Sequence, residues 1–246
     1  MPAAAARAFL SRDDLESLLR LKKLDHTLTN APVAAGNAAD ARYVVPTGIA
    51  PLDARLQGGI PRGHLSEFVG PRSSGRLAVV VSALAAATAR GEAVALVDPL
   101  DMFDPPSASA SGVDFTRMLW IRGSTSSSAA RLSLSGEYSS LQKSLDAGVK
   151  ALNLVLQAGG FGLVVLDLAE IAPQIVRRLP FTTWLRLHRV IEGGETACVL
   201  LGSEPMVRSA GGVTVQLGMG TARVVRSRAP WEIEQDVRVS LSAAAG

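Results

Sequence analysis

Gly70, Pro71, Arg72, Ser73, Ser74, Gly75, Arg76 and Leu77 are the residues of this chain best arranged for chemistry, and they nearly spell a phosphate-binding loop. A working loop needs a glycine, four residues, then Gly-Lys-Ser/Thr. Successive backbone N–H groups then cradle phosphate oxygens, the lysine neutralises β/γ charge and the hydroxyl holds Mg²⁺. Arg76 stands where the lysine belongs and Leu77 where the hydroxyl belongs. A second chemical signal is Leu163, Val164, Val165 and Leu166 followed by Asp167. That pattern puts an acid at the tip of a central strand, where beside a phosphate loop it holds Mg²⁺ through water. Any buried strand ending in aspartate looks alike, so Asp167 takes its meaning from the loop upstream.

The flanks supply elements in the order such a loop requires. Residues 65–69 read as a buried strand, and residues 76–90 as an Ala/Val-rich helix stopped by Gly91. Further strands are expected at 93–97, 118–121, 163–166 and 196–201, and helices at 140–158 and 180–191, the latter opened by Pro180. Residues 105–111 and 123–135 read as loops. Alternating strands and helices predict an α/β fold, a phosphate-loop core with a mostly parallel central sheet flanked by helices. Strand patterns at 213–217, 222–226 and 236–241 predict an antiparallel C-terminal extension.

At 246 residues the chain is long enough for one main α/β domain. Residues 1–42 are expected to be a docking arm and 43–246 the core. In the arm, a short helix over 9–25 carries Leu15, Leu18 and Leu19 on one stripe, which packs either on the chain's own core or on a partner; residues 27–42 read as a flexible linker and favour the partner. The formal charge of +3 and a pI near 9.4 permit nucleic acid or an acidic partner and demand neither. Arg223, Arg226 and Arg228 are candidate DNA contacts, with a second group in Arg177, Arg178, Arg186 and Arg189. Solvated surface arginines are the commoner explanation of such groups. Cys198 is the only cysteine, which excludes an intramolecular disulfide and fits a reducing cytoplasm. No signal-peptide core and no membrane-spanning apolar run is evident, and the scattered His26, His64 and His188 propose no metal site.

Several of these pieces, in this order, resemble the RecA recombinase family. The match begins with Thr47, Gly48, Leu52, Asp53 and the run from Gly58 to Gly63, and passes through the loop. It continues in Val97, Asp98, Asp104, Pro105, Gly112, Val113, Asp114 and residues 163–167. The resemblance implies a RecA-like core over residues 44–201, without the family's C-terminal domain and with shortened DNA-contacting loops. The family's loop ends in Lys-Thr, and its catalytic glutamate falls here on Leu100, with Asp101 beside it. These departures imply no catalytic residue and no required cofactor, with weak ATP or ADP binding left to backbone N–H groups. An N-terminal helix and a damaged loop further resemble the ImuA branch, on Arg186 to Arg189, Ser203 to Pro205, Arg208 and Ser209. That likeness implies a non-catalytic accessory role in damage-induced mutagenesis (translesion synthesis within the SOS response). The implied partners are RecA and polymerase-related, ImuB-like proteins, with weak DNA contact and a cytoplasmic, nucleoid-associated location. The alternative is a RecA-like ATPase or a DNA-binding protein in recombination and repair.

Overall fold

Short runs of aliphatic residues, buried on both faces, dictate a sheet sandwiched between helices. The computed structural model describes residues 43–123, 134–207, 212–218, 221–226 and 237–240. The chain divides into two units, Met1–Asn37 and Ala38–Gly246, and every described residue lies in the second. Strands β1 (Val44–Val45) and β2 (Ile60–Pro61) pair antiparallel, with helix α1 (Ala50–Arg55) between them in sequence. Strands β3 (Leu65–Val69), β4 (Val94–Asp98), β5 (Met118–Arg122), β6 (Leu163–Asp167), β7 (Ala197–Gly202) and β8 (Val213–Gly218) run parallel. Strands β9 (Thr221–Arg226) and β10 (Val237–Ser240) add antiparallel at one edge, giving the order β10-β9-β8-β3-β7-β6-β4-β5.

The helices are α2 (Arg76–Ala89), α3 (Pro105–Ala110), α4 (Leu134–Ala158), α5 (Pro173–Val176) and α6 (Phe181–Ile191). Strand alternation sorts the core into two layers. Phe68, Leu96, Val165 and Val199 pack with Val80, Leu84 and Ala87 of α2, while Leu65, Val97, Leu166 and Leu200 pack with Leu152 of α4 and Trp184 and Leu187 of α6. Cys198 belongs to the second layer, and burial pushes its thiol up to about 12, so it is an inert core residue.

Three expectations are corrected. Residues 105–110 form α3 rather than a loop, because Pro105 and Pro106 fall in the first turn, where a missing N–H costs nothing. Helix α4 starts at Leu134, ahead of the expected Ser140. Strand β8 pairs parallel to β3, so the antiparallel extension begins at β9, one strand later than the spacing suggested.

The approach to the loop is fixed by local contacts. Asp53 accepts hydrogen bonds from the N–H and hydroxyl of Thr47, both at 2.7 Å, and from the N–H of Gly48 at 3.2 Å, tying α1 to the strand before it. Gly59 has φ +149°, and a Cβ there would stand 2.3 Å from the Val45 carbonyl, so the hairpin closes only around glycine. Arg62 then reaches the carbonyls of Gly162 and Glu195 and the carboxylate of Glu92, which ties the start of β3 to its neighbours.

Candidate functional site at the carboxyl rim of the sheet

In a parallel sheet the groups available for chemistry gather at the carboxyl ends of the strands, and the loop after β3 emerges there. Its backbone keeps the form of an anion-binding turn: Ser73 has φ 62° and Gly75 φ 85°, left-handed conformations that curl the chain before α2. Gly70 is required by packing, since a Cβ would meet the Leu217 carbonyl at 2.3 Å and the Ser74 hydroxyl at 2.7 Å. Pro71, Arg72 and Ser73 are exposed, and Leu77 shows 38 % of its surface at the position that would need a hydroxyl. Ser74 is buried, with a hydroxyl oxygen that has no hydrogen-bond partner.

Arg76 does not extend into solvent or over the loop. It is 6 % exposed, and its guanidinium turns inward to the backbone. One nitrogen donates to the Gly70 carbonyl and, at 3.4 Å, to that of Gly202. The other donates at 3.0 Å to the Ala169 carbonyl and at 3.0 Å to Glu170 Oε1. The side chain therefore joins the ends of β3 and β7 to the segment after β6. Its planar fork has enough donors for such a set of acceptors, and a lysine does not have that geometry. Glu170 also pairs with Arg72, Oε2 to Nη2 at 2.6 Å. The cation expected to meet phosphate is thus satisfied by the protein itself.

Asp167 lies at the tip of β6 as the apolar run implied. It is not on the strand next to the loop, because β7 runs between β6 and β3. Its Oδ1 accepts the Ala169 N–H at 2.8 Å. Desolvation pushes its carboxyl up to about 6; the Ala169 hydrogen bond and Arg76 oppose the rise, and the nearby charges of Asp98 and Glu170 add to it. Asp98, 1 % exposed, accepts from the N–H groups of Met102 and Phe103 and so shapes the turn after β4. No cluster of three or more metal-ligating side chains occurs among the described residues.

The position at which the resemblance sets a glutamate is equally inward-looking. Leu100 packs on the α4–α6 side of the core. Asp101 accepts from Arg122 Nε at 2.8 Å and Nη2 at 2.9 Å, and that guanidinium holds its carboxyl below the usual carboxylate range. A carboxylate engaged in this way is a weak base for activating water.

Leu15, Leu18, Leu19 and Arg228, with the side chain of Arg226, lie outside the described residues. Arg223 is partly buried in β9, in register with Gln216 of β8 and Arg238 of β10. Glu170 and Glu67 were missed by sequence reasoning. The one usable signal was an acid three residues beyond Asp167, facing a loop whose arginine would need an acceptor if buried.

With the geometry in hand, comparison with known proteins agrees with the fold. The RecA N-terminal domain model matches residues 20–135. The protein RecA of Lactobacillus acidophilus is 29% identical over 171 residues, covering 67% of this chain and 42% of that protein. RecA of a Nostoc species is 39% identical over 98 residues (39% of this chain, 28% of that protein), and RecA of Symbiobacterium thermophilum is 43% identical over 77 residues (31% and 22%). The chain spans less than half the length of these curated relatives. The core is RecA-like: a mostly parallel α/β sheet flanked by helices, with an antiparallel pair at one edge. No helix among the described residues is long and apolar enough to cross a membrane.

Proposed function

We propose that this protein is a RecA-like accessory protein of the ImuA type that does not turn over nucleotide, and that it acts in damage-induced mutagenesis through contacts with RecA and the associated polymerase proteins. The inward guanidinium of Arg76 carries the reading. It spends its donors on Gly70, Gly202, Ala169 and Glu170, so the loop keeps its shape while the cation at the lysine position is not free for phosphate. Leu77 adds no Mg²⁺ ligand, Leu100 no base, and Asp101 is held by Arg122. These losses fall on one reaction, and each removes several kcal/mol of transition-state stabilisation. ATP or ADP binding through backbone N–H groups is then weak at most, and no cofactor is required.

Turnover is the direct test. Phosphate release with Mg²⁺ and ATP is expected at the background of a no-protein control. Mg²⁺-dependent release that disappears in Asp167→Ala would instead establish a RecA-like ATPase.

A core that keeps a filament-forming fold without a nucleotide switch can join or cap a RecA filament and cannot pass on an ATP-driven change. Titration into RecA on single-stranded DNA is therefore expected to shorten filaments and slow strand exchange. Replacing Leu15, Leu18 and Leu19 with aspartate is expected to abolish the effect while the core keeps its thermal transition. Unchanged filaments together with no association with the polymerase proteins would refute the accessory role. An effect that vanishes in Arg226→Ala/Arg228→Ala along with DNA affinity would assign it to competition for DNA.

A further inference from the structure

On the face of the sheet opposite α2, the segments that follow β6 and β7 enclose a half-open cleft of about 190 Å³. Leu168, Ile171, Val176, Phe181, Trp184 and Met206 line it, and the exposed ion pair of Arg177 with Glu204 stands at its mouth. One wall is held from beneath: Glu67, 2 % exposed on β3, accepts the N–H groups of Met206 and Val207 at 2.5 and 2.7 Å and the Thr214 hydroxyl at 3.0 Å. The cleft is preformed. Its volume falls below the roughly 300–1,000 Å³ of small-molecule sites and suits one large side chain used as an anchor.

The apolar surface continues past the mouth onto α6, where Phe181 is 51 % and Leu185 42 % exposed. Glu204, paired with Arg177, is the one acid in its lining, and the chain leading onto and along α6 is basic. The stretch Pro173 to Ile191 contains Arg177, Arg178, Arg186 and Arg189 and neither aspartate nor glutamate, with Arg186 and Arg189 exposed on α6. A partner must therefore bring an apolar anchor and negative charge together. Nucleic acid meets half of that requirement: phosphates answer the arginines, but Trp184 is 3 % exposed and Phe181 alone is a poor platform for successive bases.

We propose that this cleft docks an acidic peptide segment of a partner protein. One large apolar or aromatic side chain seats against Trp184 and Met206, while flanking carboxylates meet Arg186 and Arg189 and compete with Glu204 for Arg177. None of the loop residues takes part, so the site stands whatever the turnover measurement returns.

The experiment is selection of a random peptide library on the full chain. Fluorescein-labelled copies of the enriched peptides are then measured by anisotropy against the wild type, Phe181→Ala and Arg186→Glu/Arg189→Glu, with labelled oligothymidine alongside. Enriched peptides are expected to place acidic residues around a large apolar one. Each variant is expected to weaken binding about tenfold or more with its thermal transition unchanged. In the wild type the peptide is expected to shift tryptophan emission, and Trp184→Phe to remove the shift, a readout independent of the charge variants. No enrichment, peptides without acids, or equal binding to wild type and variants would overturn the proposal. Oligothymidine binding that falls in the same variants, with no peptide bound, would assign the surface to nucleic acid and overturn it equally.

Discussion

Replacing Arg76 with alanine is expected to cost the core about 3–5 kcal/mol, the range for breaking a buried charge pair and leaving its partners uncompensated. The carbonyls of Gly70, Gly202 and Ala169 would lose their donor, Asp167 would lose its nearby cation, and Glu170 would keep only the exposed Arg72. Arg76→Lys keeps the charge and loses the planar fork, so its cost should fall between alanine and wild type. Glu170→Ala should cost least, since the guanidinium keeps its carbonyl acceptors. Urea denaturation midpoints at constant m measure all three. A loss under about 1 kcal/mol for alanine, within the range of an exposed pair, would mean that the guanidinium does not hold the strand ends together.

Asp167→Asn is expected to act in the opposite direction and stabilise the protein. Its folded carboxyl lies near 6, above the ordinary value of 3.8. The folded state therefore binds the proton more tightly than the unfolded state. The sign follows: the cost of ionising Asp167 is absent below about pH 4, grows as pH rises toward 6, and is complete above it. That difference corresponds to about 3 kcal/mol at most. Asparagine stays neutral and keeps an oxygen for the Ala169 N–H. The variant should exceed the wild type by about 2–3 kcal/mol at pH 7.5, and the gap should close near pH 4. A variant less stable than the wild type at pH 7.5 would show that attraction between ionised Asp167 and Arg76 outweighs burial.

The two substitutions together separate what was legible in the sequence from what was not. Strand and helix positions were readable because the sheet is buried on both faces: residues 94–97 and 163–166 are unbroken apolar runs, and glycines end α2 and α4. Strand direction was not readable, since period-two alternation in Val213–Gly218 is the same in a parallel and an antiparallel partner. Helix α3 was hidden by its prolines and serines, residues that also make loops. The loop was recognised from glycine spacing, and its two departures from the motif were plain. Where the Arg76 side chain goes was not, because three of its four acceptors are backbone carbonyls, two of them contributed by segments about one hundred residues away. Backbone acceptors carry no residue signature. The link between Asp53 and Thr47 was visible only as a resemblance, and its two hydrogen bonds show what the pair does here, fastening α1 to the segment after β1.

The clamp formed by Arg76 also bears on what this sequence can become. Single substitutions are tolerated when they stay above a stability threshold, and natural domains hold only about 5–15 kcal/mol in reserve. Placing lysine at position 76 withdraws a cross-brace from β3, β7 and the segment after β6 before any phosphate contact compensates it. Leu77, Leu100 and the tethered Asp101 would each need to change as well before turnover could reward the first step. On the function proposed above, a route to a nucleotide-driven protein therefore descends before it climbs. On that reading an arginine that fastens the rim works as a ratchet, and change is expected to accumulate at the docking surface rather than at the loop.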